Sequence, residues 1–152
     1  MGTTGAGRAE RVARSALVIH LDTGFLIRAL VPGSGEGVAM EDWLSGGEPL
    51  QVSAVAWTEF LCGPVLPAHV EVAESLFGRP VALDGPEAAQ AAKLFVLLGG
   101  RRRHSLADCM IAATAIEAGA GLATTNPTDF VRFAQNGLRL SWPAAPSRRR
   151  PR

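Results

Sequence analysis

Four carboxylates in this chain stand where a strand is expected to end or a helix to begin: Asp22, Glu59, Asp108 and Asp129. Asp22 closes an aliphatic run, Leu17, Val18, Ile19, His20 and Leu21, and is followed at once by Thr23 and Gly24. Glu59 lies about one turn into the helix expected after a second short strand. Asp108 opens an Ala-rich helix, and Asp129 follows Thr124, Thr125 and Asn126 at the end of a later strand. Carboxylates that converge repel each other and raise one another's pKa unless a cation joins them. Hard divalent ions with oxygen ligands, Mg2+ or Mn2+, are the natural partners. Such an ion polarises a phosphodiester, generates hydroxide from bound water and stabilises the leaving oxygen. Thr23, Ser53, Thr124, Thr125 and Asn126 are placed to orient the carboxylates or the waters around them.

Each acid also has a plainer reading. Asp22 could cap the helix that follows it. Glu59 could be a solvated face residue, although Trp57, Phe60 and Leu61 suggest that its helix is mostly buried. Asp108 lies in Leu106, Ala107, Asp108, Cys109, Met110 and Ile111, where an acid is costly without a partner. Asp129 could cap the short helix before Phe130.

The elements that must position these groups alternate between strand and helix. A strand over 17–21, buried on both faces, leads into a helix over 23–30. Pro32, Gly33 and Gly35 mark a loop, and 37–44 reads as a short helix. A second strand over 50–53 precedes helices over 54–62 and 68–77, the first stopped by Gly63 and Pro64. A third strand is expected over 81–83. Asp84, Pro86 and Glu87 then spell a capped helix start, with the helix running to about residue 98. Ser105 is placed to cap a helix over 106–118, whose Ala112, Ala113 and Ala115 allow close packing on a sheet. A strand over 121–124, a helical turn over 127–134 and a last strand over 138–142 complete the pattern. Strands alternating with helices indicate α/β layers around a mostly parallel sheet, where ligands bind beyond the carboxyl ends of the strands. Asp22 ends the strand expected to be central.

The chain has 152 residues, 47% hydrophobic and 19% charged, which fits one globular domain over 16–143. No apolar run reaches the ~20 residues of a membrane span, and no membrane partner is expected. The N-terminal stretch has no hydrophobic signal segment, so Cys62 and Cys109 are expected as reduced thiols in the cytoplasm. No Cys or His pair has zinc spacing. The formal charge of +1 hides a division: +2 in residues 1–16, +4 in 147–152, and −5 between them. Residues 1–15 read as disordered and 144–152 as a basic tail. An acidic body with basic ends and an internal Arg101, Arg102, Arg103 triplet raises the question of a polyanion, for which the triplet is the candidate contact. His20 reads as a core or sheet residue and His69 as surface.

Four segments then occur in order: Asp22 and Thr23 after a hydrophobic strand; Ser-Ala-Val-Ala-Trp-Thr-Glu-Phe over 53–60; Asp-Cys-Met-Ile-Ala-Ala-Thr-Ala over 108–115; and Thr-Thr-Asn-Pro-Thr-Asp-Phe over 124–130. Together they resemble the PIN domain, in particular the VapC-type ribonuclease toxins of bacterial toxin–antitoxin pairs. The resemblance covers residues 17–142. It implies an α/β/α sandwich, an acidic pocket for Mg2+ or Mn2+ made by Asp22, Glu59, Asp108 and Asp129, and hydrolysis of RNA phosphodiester bonds. The fourth segment has the family's Asn form, leaving open whether Asn126 or Asp129 approaches the metal. A homodimer and a cognate antitoxin are implied by the resemblance alone.

Other classes fit less well. Leu21, Asp22, Thr23 and Gly24 contain the Asp-Thr-Gly of aspartic proteases, but those are all-β and pair two such loops, and only one occurs here. A phosphoacceptor receiver domain would need a late lysine, yet the only lysine is Lys93. A non-catalytic PIN-like module that binds RNA or protein is the alternative, and the four intact acids argue against it.

Overall fold

A computed structural model describes residues 17–99 and 103–142, with the backbone alone for 103–105. The segments 1–15 and 144–152, for which disorder and a basic tail are expected, lie outside the described residues, as do Arg101, Arg102 and the side chain of Arg103. In chain order the elements are β1 (Ile19–Leu21), α1 (Thr23–Ala29), α2 (Gly35–Ser45), β2 (Leu50–Gln51), α3 (Ala54–Cys62), α4 (Pro67–Phe77), α5 (Gly85–Leu97), α6 (Arg103–Glu117), β3 (Gly121–Ala123), α7 (Pro127–Phe130), a 3-10 turn (Val131–Asn136) and β4 (Arg139–Trp142).

The sheet has the order β2-β1-β3-β4 and every pairing in it is parallel. Parallel strands need helical crossovers, and helices cover the faces, which is why all three residues of β1 and of β3 are buried. β1 lies inside the sheet beside β3, and the chain leaves β1 toward β2 on one side and β3 toward β4 on the other. The carboxyl ends of β1 and β3 therefore flank the point where the strand order reverses, the place where open α/β sheets form ligand crevices.

The core is built from Leu21 and Leu122 of the sheet, Phe25 and Leu26 of α1, Phe60 of α3, Leu94 of α5, Ile111 of α6, and Phe130 and Phe133. Ala112, Ala113 and Ala115 are fully buried, and their small side chains let α6 approach α5, α3 and β3. Gly121 has a comparable reason: a Cβ there would lie 2.0 Å from Ser141 Oγ on the neighbouring β4. His20 is a buried sheet residue, as read. Its Nε2 lies 3.1 Å from Gln51 Oε1, its register partner on β2, while Nδ1 is buried with no hydrogen-bond partner. Burial lowers its pKa below the ordinary value, and the Gln51 contact offsets part of that.

Three local expectations are corrected. Residues 81–83 form no strand: Val81 makes one isolated parallel bridge to Ser53, hemmed in by Pro80 and by the helix start at Asp84. That start is the expected capping box, with Glu87 Oε2 accepting from Asp84 N at 3.1 Å. Ser105 is not a cap, because α6 already begins at Arg103, and a serine inside a helix costs only a fraction of a kcal/mol. The helical run expected over 127–134 is a single α-turn followed by the 3-10 turn, closed by Gly137 at φ 99°, in the left-handed region glycine tolerates. Cys62 and Cys109 are both free thiols, the first exposed and the second buried. Among the described residues no helix is long and apolar enough to cross a membrane.

Candidate active site

Asp22 follows β1 directly, and its backbone N–H still belongs to the sheet, donating to Ala123 O at 2.9 Å. Its side chain is the N-cap of α1, accepting from Thr23 N at 2.8 Å through Oδ1. The capping reading is therefore correct, yet it uses one oxygen only. Oδ2 accepts from Thr124 Oγ1 at 2.8 Å, just past the end of β3. Thr124 is fully buried and in turn accepts from Asn126 N at 3.0 Å, so one hydroxyl ties the carboxylate of the first strand to the loop after the third.

Glu59 comes from α3, which Ser53 caps by accepting from Ala56 N at 3.1 Å. Ser53 thus shapes the helix that carries Glu59. The expectation of a mostly buried helix needs correcting, since Phe60 is buried but Glu59 and Leu61 are exposed. α3 turns one face to the core and leaves Glu59 at the open end of the sheet, where Thr23 Oγ1 donates to its Oε1 at 3.0 Å. Thr23 is the residue after Asp22, so the first two acids are joined through adjacent residues.

Asp108 lies in the second turn of α6 and is half-buried. Asp129 sits inside α7 and is not its cap; Asn126 holds that position. The Asn126 side-chain amide donates to Asp129 Oδ2, and Arg132 lies beyond, its Nη2 3.7 Å from Asp129 Oδ1. Thr125 reaches α1 from the same loop: a Cβ on Gly24 would meet its Oγ1 at 2.7 Å. Close approach thus accounts for the glycine after Asp22 and Thr23.

The four acids feel one another. Burial raises the Asp22 pKa above its ordinary value; the Thr124 and Thr23 hydrogen bonds pull it back, and the charges of Glu59 and Asp129 push it up again. Asp108 is pushed up to about 6, first by burial and then by Asp22, Asp129 and Glu59, with only Arg132 opposing. Burial is thus the main cause for both groups, and the neighbouring carboxylates add to it. Beside Asp108, the Cys109 thiol is raised to about 11, chiefly by burial, which makes it unreactive at neutral pH. Among the described residues, no group of three or more His, Cys, Asp or Glu is placed to hold a metal ion as the side chains stand. The donor set is nevertheless all hard oxygen with net negative charge, which suits a cation that keeps part of its water shell.

Sequence reasoning passed over Arg132. It lies three residues beyond Asp129 in what reads as an ordinary helix surface, and that i, i+3 spacing sets it beside the acid.

The chain belongs to the PIN-domain family, whose model matches residues 19–136. Its solved structural neighbours include VapBC2 from Rickettsia felis bound to a promoter DNA fragment, at 17% identity and TM-score 0.66, covering 82% of this chain and 97% of that one. FitAcB from Neisseria gonorrhoeae is 27% identical with TM-score 0.57, covering 80% and 96%. VapBC-5 of Mycobacterium tuberculosis, a member of the VapBC family of toxin–antitoxin systems, is 20% identical with TM-score 0.53, covering 82% and 99%. No curated protein matches this sequence. The expected family and the α/β fold with a parallel sheet are thus both found.

Proposed function

We propose that this PIN domain is a metal-dependent endoribonuclease, the toxin of a type II toxin–antitoxin pair. What supports the proposal is the hydrogen-bonded chain beside the reversal of strand order, running from Asp22 through Thr124 and Asn126 to Asp129 and through Thr23 to Glu59, with Asp108 feeling the charge of Asp22. Their mutual repulsion is the electrostatic condition that a divalent cation relieves. Asp22 and Asp108 would hold Mg2+ or Mn2+, with Glu59 and Asp129 completing the shell directly or through water. When bound, the ion supplies Lewis-acid polarisation of a phosphodiester and a hydroxide nucleophile. The chain's own part is orientation. Thr124 and the Thr23 amide fix the Asp22 carboxylate, Thr23 fixes Glu59, and Asn126 fixes Asp129, so the remaining lone pairs would be presented in a set arrangement.

An antitoxin partner is supported by the neighbours, which include members of toxin–antitoxin systems. A homodimer and a cytoplasmic location belong to the same reading. Arg101 and Arg102, just before the Asp108 helix, and Arg103, its first residue, are proposed to hold flanking RNA phosphates. The test is incubation of purified protein with a mixed RNA pool, with Mg2+ or Mn2+ and with EDTA. Discrete cuts that require the metal are expected. No cleavage together with no metal binding would favour the non-catalytic module.

A further inference from the structure

Arg132 is held at its base and free at its tip. Its Nε donates to Asp129 O at 2.7 Å, its guanidinium lies 5.7 Å from the centroid of the Phe133 ring, and Nη2 stands 3.7 Å from Asp129 Oδ1, beyond hydrogen-bond length. A guanidinium carries five N–H donors, and only the Nε donor is used among the described residues. The side chain is 37% exposed. Its charge also acts on Asp108 and Cys109, lowering the pKa of each.

Beside it is a hollow of about 210 Å³, lined by Leu97, Leu98, Arg132, Phe133, Gln135 and Asn136. Leu97 and Asn136 also line the adjoining hollow, where Lys93 stands. The surface leading away from the acids therefore begins with a forked cation, continues over apolar walls carrying two side-chain amides, and ends near a second cation. An arginine fork matches phosphate oxygens, and apolar walls with amide donors and acceptors suit an unstacked base. A cation adjoining an acidic centre also answers an electrostatic difficulty, since carboxylates alone repel an RNA backbone.

Resting on the ribonuclease reading, we propose that Arg132 and the hollow beside it seat the nucleotide next to the cleaved bond, the guanidinium on a backbone phosphate and the base against Leu97 and Leu98. Arg132 is anchored by Asp129 and Phe133 so that its free N–H groups point along the strand's path.

The test measures binding of a labelled single-stranded RNA across a salt series with Mg2+ present, in Asp108→Asn protein so that the RNA stays intact. Adding Arg132→Gln is expected to flatten the slope of log K against log salt by about 0.7, the loss of one phosphate contact on a single strand. Arg132→Lys should restore the slope. In otherwise wild-type protein Arg132→Gln should raise KM more than it lowers kcat, and Gln135→Ala should relax base preference beside the cut. An unchanged salt slope with a lowered kcat would overturn the proposal and leave Arg132 as a support for Asp129. If the parent protein binds no RNA at any salt concentration, the ribonuclease reading falls and this proposal with it. RNA binding with an unaltered slope removes this proposal alone.

Discussion

Thr124 Oγ1 donates to Asp22 Oδ2 at 2.8 Å, joining two residues 102 positions apart in the chain. The bond follows from the sheet: β1 and β3 are parallel neighbours in register, Leu21 opposite Ala123, so the residues that come next emerge side by side. Thr124→Val keeps the shape of the side chain and removes its hydroxyl, freeing Asp22 Oδ2 and leaving Asn126 N without its acceptor. The variant is expected to fold, to lose about 1–3 kcal/mol of stability, and to lose about 10–100-fold in metal affinity or cleavage rate. Denaturant melts and calorimetric titration with Mn2+ check the two effects separately.

Gly24 sets the spacing between α1 and the loop after β3. Gly24→Ala places a methyl group 2.7 Å from Thr125 Oγ1 and should cost about 1–3 kcal/mol by overpacking. Thr125→Ala removes the obstructing atom, so the double variant should recover most of that loss. A double-mutant cycle reads the coupling directly; additive effects would mean that the two residues do not press on each other.

The charge state of Asp108 makes metal-free stability depend on pH. Its folded-state pKa is raised to about 6 from an ordinary 3.8, so the ionised form is the one disfavoured by folding. Wild-type protein in EDTA therefore carries this penalty above about pH 6 and sheds it as pH falls toward 3.8. Asp108→Asn lacks the charge at every pH. It should melt higher than wild type at pH 7.5 in EDTA, with the advantage gone near pH 4. An advantage that does not change with pH would show that Asp108 ionises freely.

His20 acts in the opposite direction. Burial lowers its pKa, so the folded protein resists protonating it while the unfolded chain takes up a proton near the ordinary 6.5. Its contribution to stability is present above that value and declines as pH falls below it. Imidazole resonances followed by NMR should show His20 still neutral at pH 6.5. A His20 signal that titrates at or above 6.5 would contradict its burial.

Much of this fold can be read from residue order, because the strongest signals are local. The aliphatic run before Asp22, the capping box at Asp84 and Glu87, and the stop at Gly63 and Pro64 each act within a few residues, and the elements they delimit are found. What is hard to read depends on distant partners. Residues 81–83 look like a strand, but whether Val81 pairs along its length depends on the segment after β2, where Ser53 alone bridges to it. Glu59 looks buried among apolar neighbours, but which face of α3 meets the core is decided by packing. In the same way, the four acids can be marked as candidates one at a time, while their mutual reach is a property of the sheet order.

The central claim is that Asp22 and Asp108 gather a divalent cation that cuts RNA. It is tested most directly by incubating wild-type protein, Asp22→Asn and Asp108→Asn with one single-stranded RNA, in Mn2+ and in EDTA. Both substitutions conserve side-chain volume while removing one charge. The account predicts cleavage by the wild type in Mn2+ alone, none by either variant, and unchanged far-UV circular dichroism for all three. Cleavage in EDTA, or by either variant at the wild-type rate, would contradict it.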